Sequence, residues 1–353
     1  MTAQPPRRQV FLEGTYGIGN LGDDLLAVLF TRALDAWGCD VILAGDQTLG
    51  RTQEVAQIDV HRTDVWGKFK ALRRTRLAVI GGGGQFNDNS SRTGGAHLAI
   101  TFALSRLLGR RVLVCGTGFG PLRRRPARAI WRILGRSPRS AFALREVLGQ
   151  QSFQALTGRN AVLSFDPIFS DFAATALSID ALRAQRQAAP PAADAPGLVN
   201  FRSFRRNTFV EQTVLAQIAV ITNAPLAGLS VDDRGDLDLD ALTPYGITQL
   251  HPYRGVDLCL SHINAAPFVV TQRFHVLCAC ALLGVPVVPV CYADKMQDFC
   301  RWMGMTFVTT EDTDADAIRK AVDKCLTAGP IDLSQLRERI DPMIWLSEQI
   351  WKP

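Results

Sequence analysis

Short apolar runs alternate along this chain with helical patterns, and the alternation occurs twice, once on each side of an Ala/Pro-rich segment. The first half predicts strands at 9–12, 40–44, 77–80 and 111–114 and helices at 23–37, 95–108 and 128–134. The second predicts strands at 198–201, 226–229, 268–271 and 287–290, with helices from Phe209, near Val256 and from His275. Strands and helices in this order pack as a parallel sheet with helices on both faces. A helical piece at 178–187 leads into AAPPAADAPG, residues 188–197, the one clear linker candidate. The expectation is an α/β chain with two Rossmann-like domains, 1–187 and 198–332, joined by 188–197 and facing a shared cleft. Residues 333–353, with a helix predicted over 334–351, have no strand partner and are expected to pack back on the first domain. Ligands of such sheets lie at the carboxyl ends of the strands.

The length of 353 residues suits two domains at about 150 residues each. The net charge of +6 is mild. No basic motif interleaved with aromatics appears, so nucleic acid is not an expected partner. The eight cysteines contain no C-x-x-C pair and mostly sit in apolar runs. They read as buried thiols of a reducing compartment, and no His/Asp/Glu cluster has metal spacing, so neither a disulfide framework nor a metal is expected. The opening apolar stretch is too short for a signal peptide. Residues 276–293 carry no charge, but Gly284, Pro286 and Pro289 divide them into a short helix, a turn and a short strand. A membrane span needs roughly 20 helical residues. The expected location is cytoplasmic.

Four motifs follow strand ends. The first, GTYGIGNLGDD (residues 14–24), contains Gly17-x-Gly19-x-x-Gly22. That pattern matches a dinucleotide fingerprint, with Asp46 at about the right distance for a ribose. However, Asp23 and Asp24 open the helix where a pyrophosphate would rest and would repel it. They suit the helix dipole instead. The glycines still allow a ligand to approach the backbone, with a tight structural turn as the alternative. The second, Gly81-Gly82-Gly83-Gly84 followed by Gln85, Phe86, Asn87 and Asp88, makes sense where bare backbone lines a site or a crowded interface. The third, Gly116–Pro121, leads into Arg123, Arg124, Arg125, Arg128, Arg132, Arg136 and Arg139 with no acid among them. Ala127, Ile130, Trp131 and Leu134 form an apolar stripe. Residues 123–139 thus read as an amphipathic basic helix, either a solvated face or a contact for an anionic substrate or membrane.

The fourth motif is Thr271-Gln272-Arg273-Phe274-His275, between the strand PFVV and an apolar helix. Arg273 offers a fixed charge and a planar fork that matches carboxylate or phosphate. The helix N-terminus adds partial positive charge. Those fields favour a neutral His275, suited to general acid/base work. Lys295, after the strand VVPV, is placed to reach a second anion.

These pieces, in this order, resemble the polysaccharide pyruvyl transferase family. The family's glycine-rich opening resembles Gly17–Asp23, and its glycine run with Phe and Asp resembles residues 81–88. Its G-x-G-x-G-P segment resembles residues 116–121, and its Asp-Pro strand end resembles Asp166-Pro167. Its Arg in the second half corresponds to Arg202, and its Arg-x-His before a G-V-P turn to Arg273, His275 and Gly284–Pro286. The matches run from residue 14 to residue 295. The chain departs from the family at Asp24 (often Glu), at Glu146 (Asp) and in Tyr292-Ala293-Asp294-Lys295 (Tyr-Asp-Pro-Lys).

The resemblance implies a glycosyltransferase-B-like arrangement, a phosphoenolpyruvate donor, no further cofactor, and a sugar or lipid-linked glycan acceptor that receives a cyclic pyruvate ketal. His275 and Arg273 are the expected catalytic residues, and Arg202, Arg273 and Lys295 the expected donor contacts. Tyr16, Gly17, Asn20, Gly22, Asp24, Gly83, Gly84 and Asp88 are expected along the acceptor. Asp24, Asp166 and Asp294 are open candidates for a second acid or base. A sugar-nucleotide-dependent glycosyltransferase of the same architecture is the alternative, and a non-catalytic sugar- or lipid-binding subunit is a third reading. Through residues 123–139 the protein is expected to touch the anionic inner face of the membrane.

Overall fold

The structure is a computed structural model, and it describes residues 7–46, 57–88, 95–192, 194–202, 207–232 and 240–352. The chain forms two compact units. One comprises Met1–Gly19, Asp23–Leu177 and Leu336–Pro353, and the other Asn20–Gly22 and Ser178–Gln335.

In the first unit the strands are β1 (Arg8–Glu13), β2 (Cys39–Gly45), β3 (Val60–His61), β4 (Leu77–Gly81), β5 (Arg111–Thr117), β6 (Ser140–Leu144) and β7 (Val162–Leu163). They pair in parallel in the order β3-β2-β1-β4-β5-β6-β7. Central strands covered on both faces must be apolar throughout rather than alternating. Accordingly Val10, Phe11, Leu12 and Leu77–Ile80 are all buried. Over one face Phe86, Phe102, Phe119, Trp131, Phe142 and Phe153 form an aromatic core, with Phe86 edge-on to Trp131 at 4.7 Å. Truncating such a buried ring costs about 3–5 kcal/mol. Trp131 therefore fixes the helix Arg125–Leu134 to the sheet. The sequence reading lacked β3, β6 and β7. Two of these are only two residues long, and β6 (SAFAL) is rich in Ala, a weak strand former.

The C-terminal segment differs from the single helix predicted over 334–351. It is a 3₁₀ turn, Ser334–Glu338, followed by the helix Pro342–Ile350. Pro342 occupies the first turn, where its missing N–H costs nothing, and the Asp341 carboxylate accepts from the N–H groups of Met343 (2.7 Å) and Ile344 (3.1 Å). A helix therefore starts here rather than continuing. It packs on β5, where Cys115 Sγ donates to Pro342 O at 3.2 Å.

The strands of the second unit are β8 (Gly197–Asn200), β9 (Leu226–Leu229), β10 (Leu250–His251), β11 (Val269–Thr271), β12 (Val287–Cys291) and β13 (Val308–Thr309). All are parallel, in the order β10-β9-β8-β11-β12-β13. The uncharged run resolves into the helix Phe274–Leu283, a left-handed Gly284 (φ +69) that ends it, and β12. The helix Ile179–Ala188, which the sequence reading places ahead of the linker, lies with this unit. Leu182 O accepts from Asn264 Nδ2 at 2.8 Å, and Ala266 O accepts from Arg186 Nη1 at 2.9 Å. The prolines mark where the chain extends, not where the packing divides.

All eight cysteines are buried free thiols. No helix among the described residues is long and apolar enough to cross a membrane. In both sheets the strand order reverses beside the first strand, between β1 and β4 and between β8 and β11. Chain leaving these paired strands forms the natural ligand crevice of a doubly wound sheet.

Candidate active site

In the second unit Thr271 pairs with Asn200, so the residues that follow, Gln272-Arg273 and Phe201-Arg202, leave neighbouring strands side by side. A buried polar scaffold holds them. Arg202 N donates to Gln272 Oε1 (2.8 Å), and Gln272 Nε2 donates to Glu211 Oε1 (2.9 Å). Glu211 also accepts from the Tyr245 hydroxyl, and Arg273 N donates to Thr271 Oγ1 (2.9 Å). Gln272 and Glu211 are fully buried. Such a network is rigid when satisfied and costly when broken.

On this scaffold Arg273 extends to Asp232, with Nη2 3.2 Å from Oδ2. Asp232 is 3% exposed on its side chain and Arg273 16%, so the pair sits at the lip of the sheet with the arginine side chain partly exposed. Arg202 bonds the Tyr292 hydroxyl and lies over its ring at 4.6 Å. Lys295 lies over Phe274 at 5.6 Å. Three consecutive strand ends, β8, β11 and β12, thus present Arg202, Arg273 and Tyr292 with Lys295.

Arg273 is also the cap of the helix Phe274–Leu283, which puts His275 in its first turn. The segment Asn20–Gly22 lies against this place. Leu21 N donates to Val231 O (2.8 Å), Asn20 bridges Asp232, and Gly22 N donates to Asn20 Oδ1 (3.0 Å). A Cβ added at Gly22 would lie 1.9 Å from His275 Nδ1. Gly22 is therefore a glycine because the imidazole occupies the space of a side chain. The first and fourth motifs, 250 residues apart, meet here. The third glycine of the G-x-G-x-x-G pattern makes room for a histidine.

The remaining expected residues fall in the first unit. Tyr16 is buried, and its hydroxyl donates to Gly81 O at 2.7 Å. Burial, with the nearby Asp23 charge, pushes its phenol well above the usual range. It ties the loop after β1 to the end of β4. Gly17 has φ +73, and a Cβ there would meet Asp46 O at 2.3 Å. Asp24 is fully buried. Asp88 accepts from Arg123 N (3.0 and 2.8 Å) and Arg124 N (2.7 Å). Burial opposes ionisation there, but these N–H groups outweigh it and hold the carboxyl below its ordinary range. That carboxylate anchors the turn into the helix Arg125–Leu134. Gly83 and Gly84 remain as bare backbone. A Cβ on Gly83 would meet nothing closer than 3.4 Å, with Asp23 Oδ1 at 3.9 Å.

Of the open acid/base candidates, Asp166 pairs with Arg145, both nearly fully buried, and Arg145 Nε also contacts Glu146 Oε1 at 3.1 Å. Asp294 is exposed in the first turn of the helix Asp294–Trp302. Sequence reasoning missed the roles of Asp232, Gln272 with Glu211, and Arg145 as a structural cation. Gln272 stands inside the fourth motif and Arg145 one residue before Glu146, whereas Asp232 and Glu211 lie outside every motif.

A family model for polysaccharide pyruvyl transferase matches residues 20–294, most of the chain. No curated protein matches it. Several solved structures are similar across nearly the whole length. The UDP-GlcNAc 2-epimerase of Methanocaldococcus jannaschii has a TM-score of 0.66 at 11% identity, covering 98% of this chain and 99% of its own. The S. aureus MnaA–UDP complex gives 0.57 at 11% identity, covering 98% and 94%. Anabaena Alr3699/HepE, in complex with UDP and glucose, gives 0.54 at 12% identity, covering 98% of both chains. At such identities the likeness concerns the fold: two parallel α/β units of the glycosyltransferase-B class. The chain belongs to the polysaccharide pyruvyl transferase family.

Proposed function

We propose that this member of the family transfers the pyruvyl group of phosphoenolpyruvate to two hydroxyls of one sugar, forming a cyclic ketal and releasing phosphate. One observation carries the reading: Arg202 and Arg273 leave adjacent strands beside the N-terminus of the helix that bears His275. Phosphoenolpyruvate carries a carboxylate and a phosphate, and a planar guanidinium matches either in a bidentate fork. A helix N-terminus adds partial positive charge at the same point.

The reaction needs two C–O bonds at C2. One sugar hydroxyl adds to C2 while a proton is delivered to C3, which becomes the methyl group. The C2–O bond to phosphate then breaks as the second hydroxyl adds and loses its proton. We assign one of these proton transfers to His275 and the charge of the departing phosphate to Arg202, Arg273 and Lys295. In this reading no cofactor takes part. The acceptor is a sugar or a lipid-linked glycan. We place it along Gly83 and Gly84, where bare backbone and the Asp23 carboxylate suit hydroxyl groups rather than a trianion.

We further propose a cytoplasmic protein that touches the anionic inner membrane face through the helix Arg125–Leu134. In that helix Ala127 and Trp131 face the core, while Ile130 (42%) and Ile133 (59%) are exposed beside Arg128 and Arg132.

Incubation with phosphoenolpyruvate and a panel of glycosides tests the reaction. The expected products are free phosphate and a glycoside heavier by the ketal. Two of the similar structures named above hold UDP. Release of a nucleoside diphosphate from a sugar nucleotide, with no consumption of phosphoenolpyruvate, makes the protein a glycosyltransferase instead. Acceptor binding without turnover of any donor makes it a binding subunit.

A further inference from the structure

The opposite edge of the first sheet carries a feature that the reaction does not use. Arg8 begins β1, Arg76 precedes β4, Arg110 precedes β5 and Arg111 begins it, and Arg139 precedes β6. These residues, with Lys352, line a cavity of about 500 Å³ whose floor includes Leu77 and Ile350. Among the described residues no acidic one lines it, and none of the six cations forms an ion pair with a described carboxylate. Arg7, one residue away, shows the usual outcome, since it pairs with both Asp35 and Asp40.

One structural use of these cations is visible. In a parallel α/β unit the helices end at this edge, and arginines cap their carbonyls. Arg110 Nε donates to Leu72 O and Nη2 to Arg73 O, each at 3.2 Å. Arg111 Nη1 donates to Lys352 O at 2.7 Å, and Arg8 and Arg139 donate to Ile350 O and Gly109 O. Charge arithmetic shows that capping is not the whole account. Three helix ends supply about half a negative charge each, against six full positive charges. Like charges drawn together destabilise one another, and burial together with the Arg8 charge holds Arg111 below its ordinary range. The volume also falls within the roughly 300–1,000 Å³ of small-ligand pockets.

We propose that this edge is a second binding site, for a ligand carrying a di- or triphosphate group, with the phosphates among the arginines and an uncharged part over Leu77 and Ile350. Arginine forks around an acid-free cavity are the chemistry that recognises linked phosphates. The site lies at the amino ends of the strands, so it is not part of the donor site in the second unit, and it does not depend on the reaction proposed above.

Titration calorimetry with inorganic tripolyphosphate, on the full chain carrying Arg273→Ala to remove the donor site, tests it. Saturable one-to-one binding is expected. The double variant Arg76→Gln/Lys352→Gln should weaken it at least about tenfold, as loss of charged hydrogen bonds predicts. Both side chains are exposed and make no hydrogen bond to a described residue, so folding should be retained, with circular dichroism as the check. Displacement by a nucleoside triphosphate would identify a soluble ligand, and displacement by a short isoprenyl diphosphate a lipid-borne one. No saturable binding, or binding unchanged in Arg76→Gln/Lys352→Gln, overturns the proposal.

Discussion

At the carboxyl edge of the first sheet, the chain after β1 and β4 presents Asp23 and the bare backbone of Gly83 and Gly84. At the same edge of the second sheet, the chain after β8 and β11 presents Arg202 and Arg273. Both sheets reverse strand order at this point, so the backbone offers the same crevice twice. The side chains at the two crevices differ. In the first unit the buried cations described near the crevice already have carboxylate partners: Arg145 is held by Asp166 and Glu146, and Lys68 by Glu13 at the end of β1. In the second, Arg273 Nη2 lies 3.2 Å from Asp232 Oδ2, and the arginine side chain is 16% exposed. A trianionic donor is favoured only where positive charge is not already neutralised. Topology thus supplies a place for a ligand, and the local charge balance selects which ligand.

The sharpest way to break this contrast is to remove His275. His275→Ala should lower turnover roughly 100- to 10,000-fold with the fold intact, the range typical of a general acid/base. Gly22→Ala should approach the same loss, because its Cβ would sit 1.9 Å from the imidazole Nδ1 and displace it. Steady-state kinetics with circular dichroism checks both. Near-normal turnover in either variant would detach the histidine from the chemistry.

Arg273 comes next. Arg273→Ala should raise KM for phosphoenolpyruvate or lower kcat/KM by roughly 100- to 1,000-fold, the scale for truncating a buried charge pair. Arg273→Lys should be nearly as damaging, since an ammonium lacks the fork. If lysine restores most of the donor affinity, the residue acts as bulk charge and the distinction between the two crevices weakens to net charge alone.

A third test separates the histidines of the two units. His97, in the first, is held at about 4, against an ordinary value of 6.5, by burial and by the charges of Lys68 and Arg62. Its carbonyl accepts from Lys68, which is itself buried against Glu13 at 2.5 Å. A histidine with a depressed folded pKa binds its proton in the unfolded chain first. Its contribution is therefore fully present above pH 6.5 and is lost as the pH falls towards 4, by at most about 3 kcal/mol. Urea unfolding across that range should show the loss, and His97→Gln should flatten it without moving the pH profile of turnover. A catalytic profile that shifts with His97→Gln would place a working histidine in the wrong unit.

The two crevices were also unequally legible in the sequence. Glycine runs, strand ends and Arg-x-His are local signals, and they led to the strand ends that carry Arg202 and Arg273 and to the two α/β units. What escaped was decided by partners distant in sequence. Asp232 meets Arg273 from 41 residues away, and Asp166 meets Arg145 from 21. Nothing in either neighbourhood marks a carboxylate as a guanidinium partner. Tyr16 and Asp88 illustrate the converse. Both stand inside motifs, yet one is buried against Gly81 and the other accepts the backbone N–H groups of Arg123 and Arg124. The residue type showed that these side chains can bind, and only packing shows that they are already engaged.

The smallest expected effect tests whether the first unit, which we place on the acceptor side, also touches the membrane. The basic stretch is not uniform. Arg136 Nε is used by Thr157 O at 2.9 Å and Arg139 by Gly109 O, so these two serve the fold. Arg124, Arg125, Arg128 and Arg132 are exposed and form no ion pair with a described residue. At helical spacing Arg125, Arg128 and Arg132 form one flank, and Pro126, Ala129, Ile130 and Ile133 form the next, both outside the buried Ala127–Trp131 face. That order suits a helix lying at an interface, with isoleucines among acyl chains and arginines at phosphates. Each arginine near an anionic surface contributes about 1 kcal/mol. Arg128→Gln/Arg132→Gln should therefore weaken sedimentation with phosphatidylglycerol vesicles by roughly 30-fold at low salt. Raised salt should release the wild type. Ile130→Ser/Ile133→Ser should weaken binding with the arginines intact, because part of the affinity comes from buried apolar area. Equal sedimentation with phosphatidylcholine alone, or none with either lipid, would leave the helix as a solvated face. The acceptor would then have to reach the first unit from solution.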